Sequence, residues 1–254
     1  MMNFTDFKQR LREGPLHGCF VTFPCAALTE FTAAMGFDFL LLDNEHGNFN
    51  PQTLEDMVRA THCRQIPCIV RVPYNRAEYI RKALDFGADG IQVPLINTVQ
   101  DAIAANRPSL FPPEGDRGVA FLPRAANYGM HEDKGRYLRE ANAGRLLAVH
   151  IETVEAVENL DVILASQQAD VYFVGPGDLA VSMGFGHDIN HPNVISTIEL
   201  CIKKIVASGN IAGTYVGNSE RAHEAIAWGA TYLVTAVNNY MSQGAKNYLT
   251  AVQQ

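Results

Sequence analysis

Short, wholly apolar runs alternate along this chain with longer segments in which apolar residues recur at helical spacing. In the clearest case, two apolar runs, Leu146–Ile151 and Val171–Val174, flank a segment with helical periodicity at Val154–Ala165. Runs that are apolar throughout are typical of strands covered on both faces, as in a parallel sheet packed under helices. This central stretch therefore predicts a strand–helix–strand unit.

The same alternation predicts eight strands, which share apolar interiors bounded by Gly, Pro or polar residues: Gly18–Phe23, Phe37–Leu42, Cys68–Val72, Gly90–Val93, Leu146–Ile151, Val171–Val174, Ile211–Val216 and Tyr232–Val237. Helices are predicted at about 4–13, Ala26–Ala34, Pro51–Thr61, Ala77–Phe86, from near Thr98, Val154–Ala165, Val194–Ser208, Arg221–Trp228 and Met241–Val252. Eight such units without a G-x-G-x-x-G after the first strand favour a closed (β/α)8 (TIM) barrel, a single domain over residues 1–254. Residues 108–144, rich in Pro, Gly and charge, interrupt the pattern and predict a long functional loop.

Composition narrows the class of protein. The length of 254 residues suits one barrel, and 47% hydrophobic residues supply its core. The net charge of −7, without a basic stripe, argues against nucleic-acid binding, and no apolar run approaches the roughly 18 residues of a membrane span. The start of the chain does not resemble a signal peptide, so we expect a cytoplasmic protein. Without a C-x-x-C motif, most of the five cysteines are expected to be buried free thiols: Cys19, Cys25, Cys63, Cys68 and Cys201.

Polar residues collect where the predicted strands end, at the edge of a barrel that carries active sites. They are Asp43, Glu45, His46, Arg71, Gln92, His150, Glu152 and Asp178. Glu152 and Asp178 follow consecutive strands with no Cys or His pair beside them, a donor set that suits Mg2+ or Mn2+. In the alternative interpretation, Glu152 is an N-cap partner and Asp178 a turn residue after Pro176-Gly177.

The other polar residues allow both catalytic and structural interpretations. Arg71 lies in an apolar run, where it either grips a substrate carboxylate or enolate oxygen or forms an internal ion pair with Glu45 or Glu152. His46 is either a base whose ring is oriented by Asp43 or a hydrogen-bonded loop histidine. No lysine falls on a predicted strand, which argues against an imine and leaves metal stabilisation of an enolate open.

At this level of detail the chain resembles the HpcH/HpaI aldolases, metal-dependent class II aldolases that use pyruvate. The likeness runs from about Phe20 to Val237. Six motifs in the family's order carry it: GFDFLLLDNEHG, VRVPYN, FPPEGDRGV, HIETVEAVENLD, FVGPGDLAVSMG and HPNV.

The resemblance implies a (β/α)8 barrel that assembles as a hexamer, a trimer of dimers with the last helix swapped. It implies metal ligation by Glu152 and Asp178, with Mg2+ or Mn2+, or else Co2+ or Zn2+, as the ion. The resemblance also implies that His46 is the base with Asp43 beside it, that Arg71 grips the substrate, and that Glu45 contacts metal-bound water. The backbone N–H groups of Gly177 and Asp178 would receive the pyruvate carboxylate. Arg124, in the long loop, would lie near the site, often that of a neighbouring subunit.

The chain also departs from the family pattern. Family members commonly have Gln where this chain has His150, the usual GPADLS is GPGDLA here, and Ala120 replaces a glycine. His150 would stand beside the metal and the keto acid, as a ligand, a proton donor or a contact to a different acceptor.

The leading hypothesis is a carbon–carbon lyase that cleaves a 4-hydroxy-2-oxo acid to pyruvate, or a related 2-oxo acid, and an aldehyde. A citrate-forming or acyl-CoA-using condensing enzyme on the same scaffold is the alternative. A third alternative, a non-catalytic barrel, is disfavoured by the intact set of polar residues.

Overall fold

Eight parallel strands close into a barrel in the order of the chain, which confirms the predicted (β/α)8 fold. The structure is a computed structural model that describes residues 4–253, so the ends of the predicted domain at 1–3 and 254 lie outside it. The last strand pairs with the first, with Leu16 opposite Tyr232. The strands are β1 (Leu16–Val21), β2 (Phe39–Asp43), β3 (Cys68–Arg71), β4 (Gly90–Val93), β5 (Leu146–Ile151), β6 (Val171–Val174), β7 (Ile211–Tyr215) and β8 (Tyr232–Ala236).

Helices surround this barrel, and local sequence signals account for several of their starts. Asn50 caps one helix by accepting the Thr53 N–H, and Thr98 forms a capping box with Asp101. The helices are α1 (Phe4–Glu13), α2 (Ala26–Ala33), α3 (Pro51–His62), α4 (Ala77–Asp85), α5 (Val99–Asn106), α6 (Lys134–Gly144), α7 (Val154–Glu158), α8 (Leu160–Ala165), α9 (Pro176–Ser182), α10 (Pro192–Ala207), α11 (Ser219–Trp228) and α12 (Val237–Val252). No helix within residues 4–253 has the length and hydropathy needed to span a bilayer.

Alternate residues of each strand fill the barrel with large side chains. Phe39 and Tyr232 lie there with ring centroids 4.6 Å apart, and α1 closes the amino-terminal end with Phe7 and Leu11. Two glycines make room for these rings. A methyl group at Gly18 would overlap the Phe39 ring, and one at Gly213 would lie 2.9 Å from the Tyr232 ring.

Two predictions for the elements were wrong in detail, and one short helix was not predicted. The predicted loop at 108–144 contains the 11-residue helix α6, which buries only Tyr137 and therefore shows little apolar periodicity. The predicted helix Val154–Ala165 is divided at Asn159 into α7 and α8. The short helix α9 was not predicted, because its Pro-Gly-Asp start resembles a turn.

Two further expectations can be compared with the structure. Cys19, Cys68 and Cys201 are buried and Cys25 and Cys63 are exposed, and all five are free thiols. The last helix, α12, is unusual because Val237 is its only buried residue. Several of its large apolar side chains are at least half exposed: Tyr240, Met241, Tyr248, Leu249 and Val252.

Candidate active site

The carboxyl ends of β2 and β3 bring together a buried arginine and two carboxylates. Asp43 and Arg71 are direct partners in the strand register. Arg71 Nε donates to Asp43 Oδ1 at 2.9 Å and Nη2 to Oδ2 at 2.7 Å, while Nη1 lies 3.1 Å from Glu45 Oε2. The Phe20 ring covers the guanidinium, with its centroid 4.8 Å from Cζ. Both ends of the guanidinium are therefore held in place, as in a bidentate charge-assisted pair.

The ion pair that was considered for Arg71 exists, but its main partner is Asp43. Burial alone would raise the pKa of Asp43, yet Arg71 and the His46 N–H lower it below its usual range. The predicted contact of Asp43 with the His46 ring is wrong. Besides Arg71, Asp43 accepts the backbone N–H groups of Glu45 and His46, both at 3.2 Å, and it makes no hydrogen bond to the His46 ring.

His46 and Glu45 lie on the loop after β2. The His46 side chain is 65% exposed, and its Nε2 lies 3.8 Å from Glu45 Oε2. Burial raises the pKa of Glu45; Arg71 opposes this shift, and the negative charge of Glu152 adds to it. Glu45 thus lies between the buried arginine and the exposed imidazole.

The end of β5 provides a second buried pair on the same side of the strand, as its spacing predicts. His150 Nδ1 lies 2.6 Å from Glu152 Oε2, and the Leu95 N–H donates to Glu152 Oε1 at 2.8 Å. Burial would raise the pKa of Glu152, but His150, the Leu95 N–H and Arg71 together lower it. Glu152 is therefore a buried carboxylate that stays ionised.

Leu95 is part of this site although no sequence signal indicates it. Its φ is +56°, a left-handed conformation that leucine rarely adopts. This conformation accompanies the donation of its N–H to Glu152. Backbone strain of this kind clusters at functional sites.

The end of β6 contributes Asp178 and a close glycine. A methyl group at Gly175 would lie 2.8 Å from Glu152 Oε2, so glycine is required where β6 passes the carboxylate. Gly177 and Asp178 lie in the first turn of α9, where backbone N–H groups have no partner within the helix. Asp178 is exposed.

The charges of the site fit a divalent cation. Four carboxylates, those of Asp43, Glu45, Glu152 and Asp178, and one permanent cation, Arg71, lie at the carboxyl ends of the strands, and their formal charge is −3 when the histidines are neutral. Oxygen donors of this kind are those that Mg2+ and Mn2+ prefer. Within residues 4–253 no three His, Cys, Asp or Glu side chains form a complete metal site. Two carboxylates would thus supply only part of the coordination, which is usual for Mg2+.

Arg124 does not reach the site of its own barrel. Its Nη1 donates to the Phe86 carbonyl at 3.1 Å, and its Nη2 lies 2.9 Å from His62 Nδ1. His62 in turn contacts Asp89, which directly precedes β4, so this cluster lies at the amino-terminal end of the barrel. A place for Arg124 at the site of a neighbouring subunit stays a prediction.

A parallel barrel with acids and a held arginine at its carboxyl edge is suited to bind negatively charged groups and cations. All six lysines lie in helices, away from the strand ends where an imine would form. These features are consistent with a metal-assisted lyase. Residues 16–241 match the sequence model of the HpcH/HpaI aldolase/citrate lyase family, and the chain belongs to this family.

Similar proteins agree with this assignment. The chain is 33% identical over 237 residues to a 2-keto-3-deoxy-L-rhamnonate aldolase of Salmonella gallinarum, covering 92% of this chain and 88% of the relative. A crystal structure of an HpcH/HpaI aldolase/citrate lyase family protein from Burkholderia cenocepacia has a TM-score of 0.92 and 31% identity, covering 98% of this chain and all of that one. The citrate synthase SbnG has a TM-score of 0.87 and 26% identity, with 97% of each chain covered. The chain is a class II aldolase, a lyase. Its family acts on small molecules, and the class II aldolases within it depend on a divalent metal ion.

Proposed function

We propose that the chain cleaves a 4-hydroxy-2-oxo acid to pyruvate, or a related 2-oxo acid, and an aldehyde. Glu152 and Asp178 would hold the metal ion, with Mg2+ or Mn2+ preferred over Co2+ or Zn2+. The observation that carries the proposal is the buried, ionised Glu152 carboxylate near the fixed guanidinium of Arg71. When bound, a divalent cation stabilises negative charge that develops on a 2-oxo acid.

Arg71 is suited to bind the oxygen that becomes negative. A guanidinium has five N–H groups, and two of those in Arg71 donate to Asp43, while Nη1 forms an ion pair with Glu45. The N–H groups that Asp43 does not occupy are proposed to bind the enolate oxygen of the product. Because the pairing holds the guanidinium before substrate arrives, little reorganisation is needed, which is the condition for strong electrostatic stabilisation.

His46 is the proposed base, with Glu45 as the next proton carrier. The base removes the proton of the 4-hydroxyl group, the bond between C3 and C4 breaks, and its electron pair passes to C3. The aldehyde leaves, and protonation of the enolate at C3 gives the 2-oxo acid. The exposure of His46 and its position 3.8 Å from Glu45 suit exchange of this proton with solvent.

The substrate carboxylate is proposed to bind at the start of α9. The backbone N–H groups of Gly177 and Asp178 have no helical partner, and the helix dipole favours an anion there. His150 contacts Glu152, whose carboxylate lies close to Gly175 at the start of this helix.

The metal assignment predicts that Glu152→Gln and Asp178→Asn abolish cleavage. Each variant removes one charged ligand, so the binding of Mn2+, measured calorimetrically, should weaken in parallel with the loss of pyruvate release. Asp161→Asn is the matched control, because Asp161 pairs with Lys204 on the surface, and its activity should equal that of the wild type. Full activity of either site variant would refute the assignment.

A citrate-forming synthase is the second candidate, favoured by the structural likeness to SbnG and by His150 beside Glu152. With acetyl-CoA and oxaloacetate, a synthase of this kind releases free thiol, whereas an aldolase releases none. Thiol release that exceeds the rate of pyruvate formation from 4-hydroxy-2-oxo acids would favour this candidate.

We also propose a homo-oligomer, a hexamer built as a trimer of dimers in which α12 packs on a partner subunit. Exposed apolar side chains of α12 support this assembly, as do the exposed side chains of Phe31 on α2 and Met35 in the turn that follows it. Arg124 would serve the site of a neighbouring subunit. The five free cysteines support a reducing compartment, the cytoplasm.

A further inference from the structure

A chain of hydrogen bonds crosses the apolar interior of the barrel from β8 to β5. The Tyr232 hydroxyl lies 3.0 Å from Gln92 Oε1, Gln92 Nε2 lies 2.6 Å from His150 Nε2, and His150 Nδ1 lies 2.6 Å from Glu152 Oε2. Tyr232 and Gln92 are wholly buried, and His150 and Glu152 are nearly so. The large majority of polar groups at this depth in proteins are hydrogen-bonded, and these four form one continuous chain.

The phenol at one end sets the direction of every bond. Burial raises the pKa of Tyr232 well above its usual value, so the phenol keeps its proton. Within residues 4–253 the Tyr232 hydroxyl has Gln92 as its only hydrogen-bond partner, so Gln92 Oε1 must accept the phenol proton. The Gln92 amide N–H therefore points at His150 Nε2, which accepts, and the imidazole carries its single proton on Nδ1, facing Glu152.

Packing prevents the rings of Tyr232 and His150 from turning to other partners. The Tyr232 ring lies between Phe39 and Phe173, at centroid distances of 4.6 and 6.1 Å. The His150 ring stacks on Phe173 at 4.8 Å. Gly213 provides the space for Tyr232.

We propose that Tyr232 and Gln92 are positioning residues, which act through His150 by holding its imidazole in the Nδ1–H tautomer so that it orients the Glu152 carboxylate. The inference goes beyond the proposed function and rests on it only for the metal at Glu152. An imidazole orients a carboxylate in this way only when its single proton lies on the nitrogen that faces it.

Loss of the Tyr232 hydroxyl would release this constraint. The Gln92 amide could then turn its oxygen toward His150, which favours a proton on Nε2. In that tautomer the lone pair of Nδ1 faces a carboxylate oxygen, and the two acceptors repel each other. Glu152 would keep only the Leu95 N–H and lose its fixed orientation.

The test begins with the protein free of metal. In wild-type protein labelled with 15N at histidine, His150 should show a protonated Nδ1 and an unprotonated Nε2, with the signals assigned by their loss in His150→Gln. In Tyr232→Phe the two tautomers should mix. Protonation of Nε2 in the wild type at neutral pH, or an unchanged tautomer in Tyr232→Phe, would overturn the proposal.

The second readout is the affinity for Mn2+, measured by calorimetry. Tyr232→Phe should weaken binding by about 3- to 10-fold, less than the roughly 10- to 100-fold typical when a direct partner of a ligand is lost. In the His150→Gln background the same substitution should have no effect, because the amide needs no tautomer. An equal loss in both backgrounds would show that Tyr232 does not act through His150.

Two controls keep the outcome decisive. Tyr172→Phe removes another fully buried strand hydroxyl, from the cluster outside the barrel, and should not change the affinity. Should Tyr232→Phe not fold, Gln92→Met breaks the same chain at its next member and should give the same tautomer mixture. If the wild type binds no Mn2+, the metal assignment fails, while the tautomer of the metal-free protein still decides this proposal.

Discussion

Arg71 shows how single residues set the character of the site. It is an always-charged group in a strand that is otherwise apolar, and Asp43 and Glu45 make its burial tolerable. The sequence indicates the need for an anion near Arg71 but not which acid provides it, because the β2–β3 register decides that Asp43 lies opposite. Leu95 and Tyr232 were missed for a similar reason. A positive φ at a leucine and a tyrosine turned into a barrel leave no periodic trace in the sequence.

Asp43→Asn should lower the free energy of unfolding by roughly 2 to 4 kcal/mol near neutral pH, since it leaves a buried guanidinium with Glu45 alone. The pKa of Asp43 is lowered in the folded state, so the stabilisation is complete above the usual carboxyl value of about 4 and is lost as the pH falls below it. Urea unfolding of both proteins near pH 7 and below pH 4 measures this difference. The surface variant Asp161→Asn should lose no more than about 1 kcal/mol. A difference that persists undiminished in acid would contradict this account of the pair.

At the scale of elements, continuous apolar strands were predictable and polar helices were not. All eight strands were found because burial on both faces leaves uniform apolar runs, although β1 begins at Leu16 instead of the predicted Gly18. The missed helix α6 buries only Tyr137, so no apolar stripe marks it. The last helix, α12, was predicted from apolar residues at helical spacing, but those side chains stay exposed in the described residues, except for Val237.

The exposed stripe of α12 predicts a test of the proposed assembly. Leu249→Glu places a charge among Tyr248, Val252 and their neighbours and should reduce the hexamer to smaller species, as measured by light scattering during gel filtration. Gln243→Glu introduces the same charge on the opposite side of the helix, about 120° from Leu249 at 100° per residue, and should leave the assembly intact. Equal masses for wild type and Leu249→Glu would show that α12 does not hold the subunits together.

At the scale of the whole molecule, the fold brings residues from four separate strands to one edge of the barrel. Asp43 and Arg71 are the last residues of β2 and β3, and Glu152 and Asp178 lie just after β5 and β6. Their order along the chain and the parallel barrel were enough to predict this grouping. The position of Arg124 was not predictable in the same way, since its loop packs at the far end of its own barrel.

The most direct test is pyruvate release from a 4-hydroxy-2-oxo acid by the full-length protein, first stripped of metal with EDTA and then supplied with Mg2+ or Mn2+. We expect no release from the stripped protein and recovery of activity on addition of the ion, because the excess negative charge of the site needs a cation before it can bind a 2-oxo acid. Glu152→Gln treated in the same way should not recover. Undiminished cleavage by the stripped wild type would contradict the account.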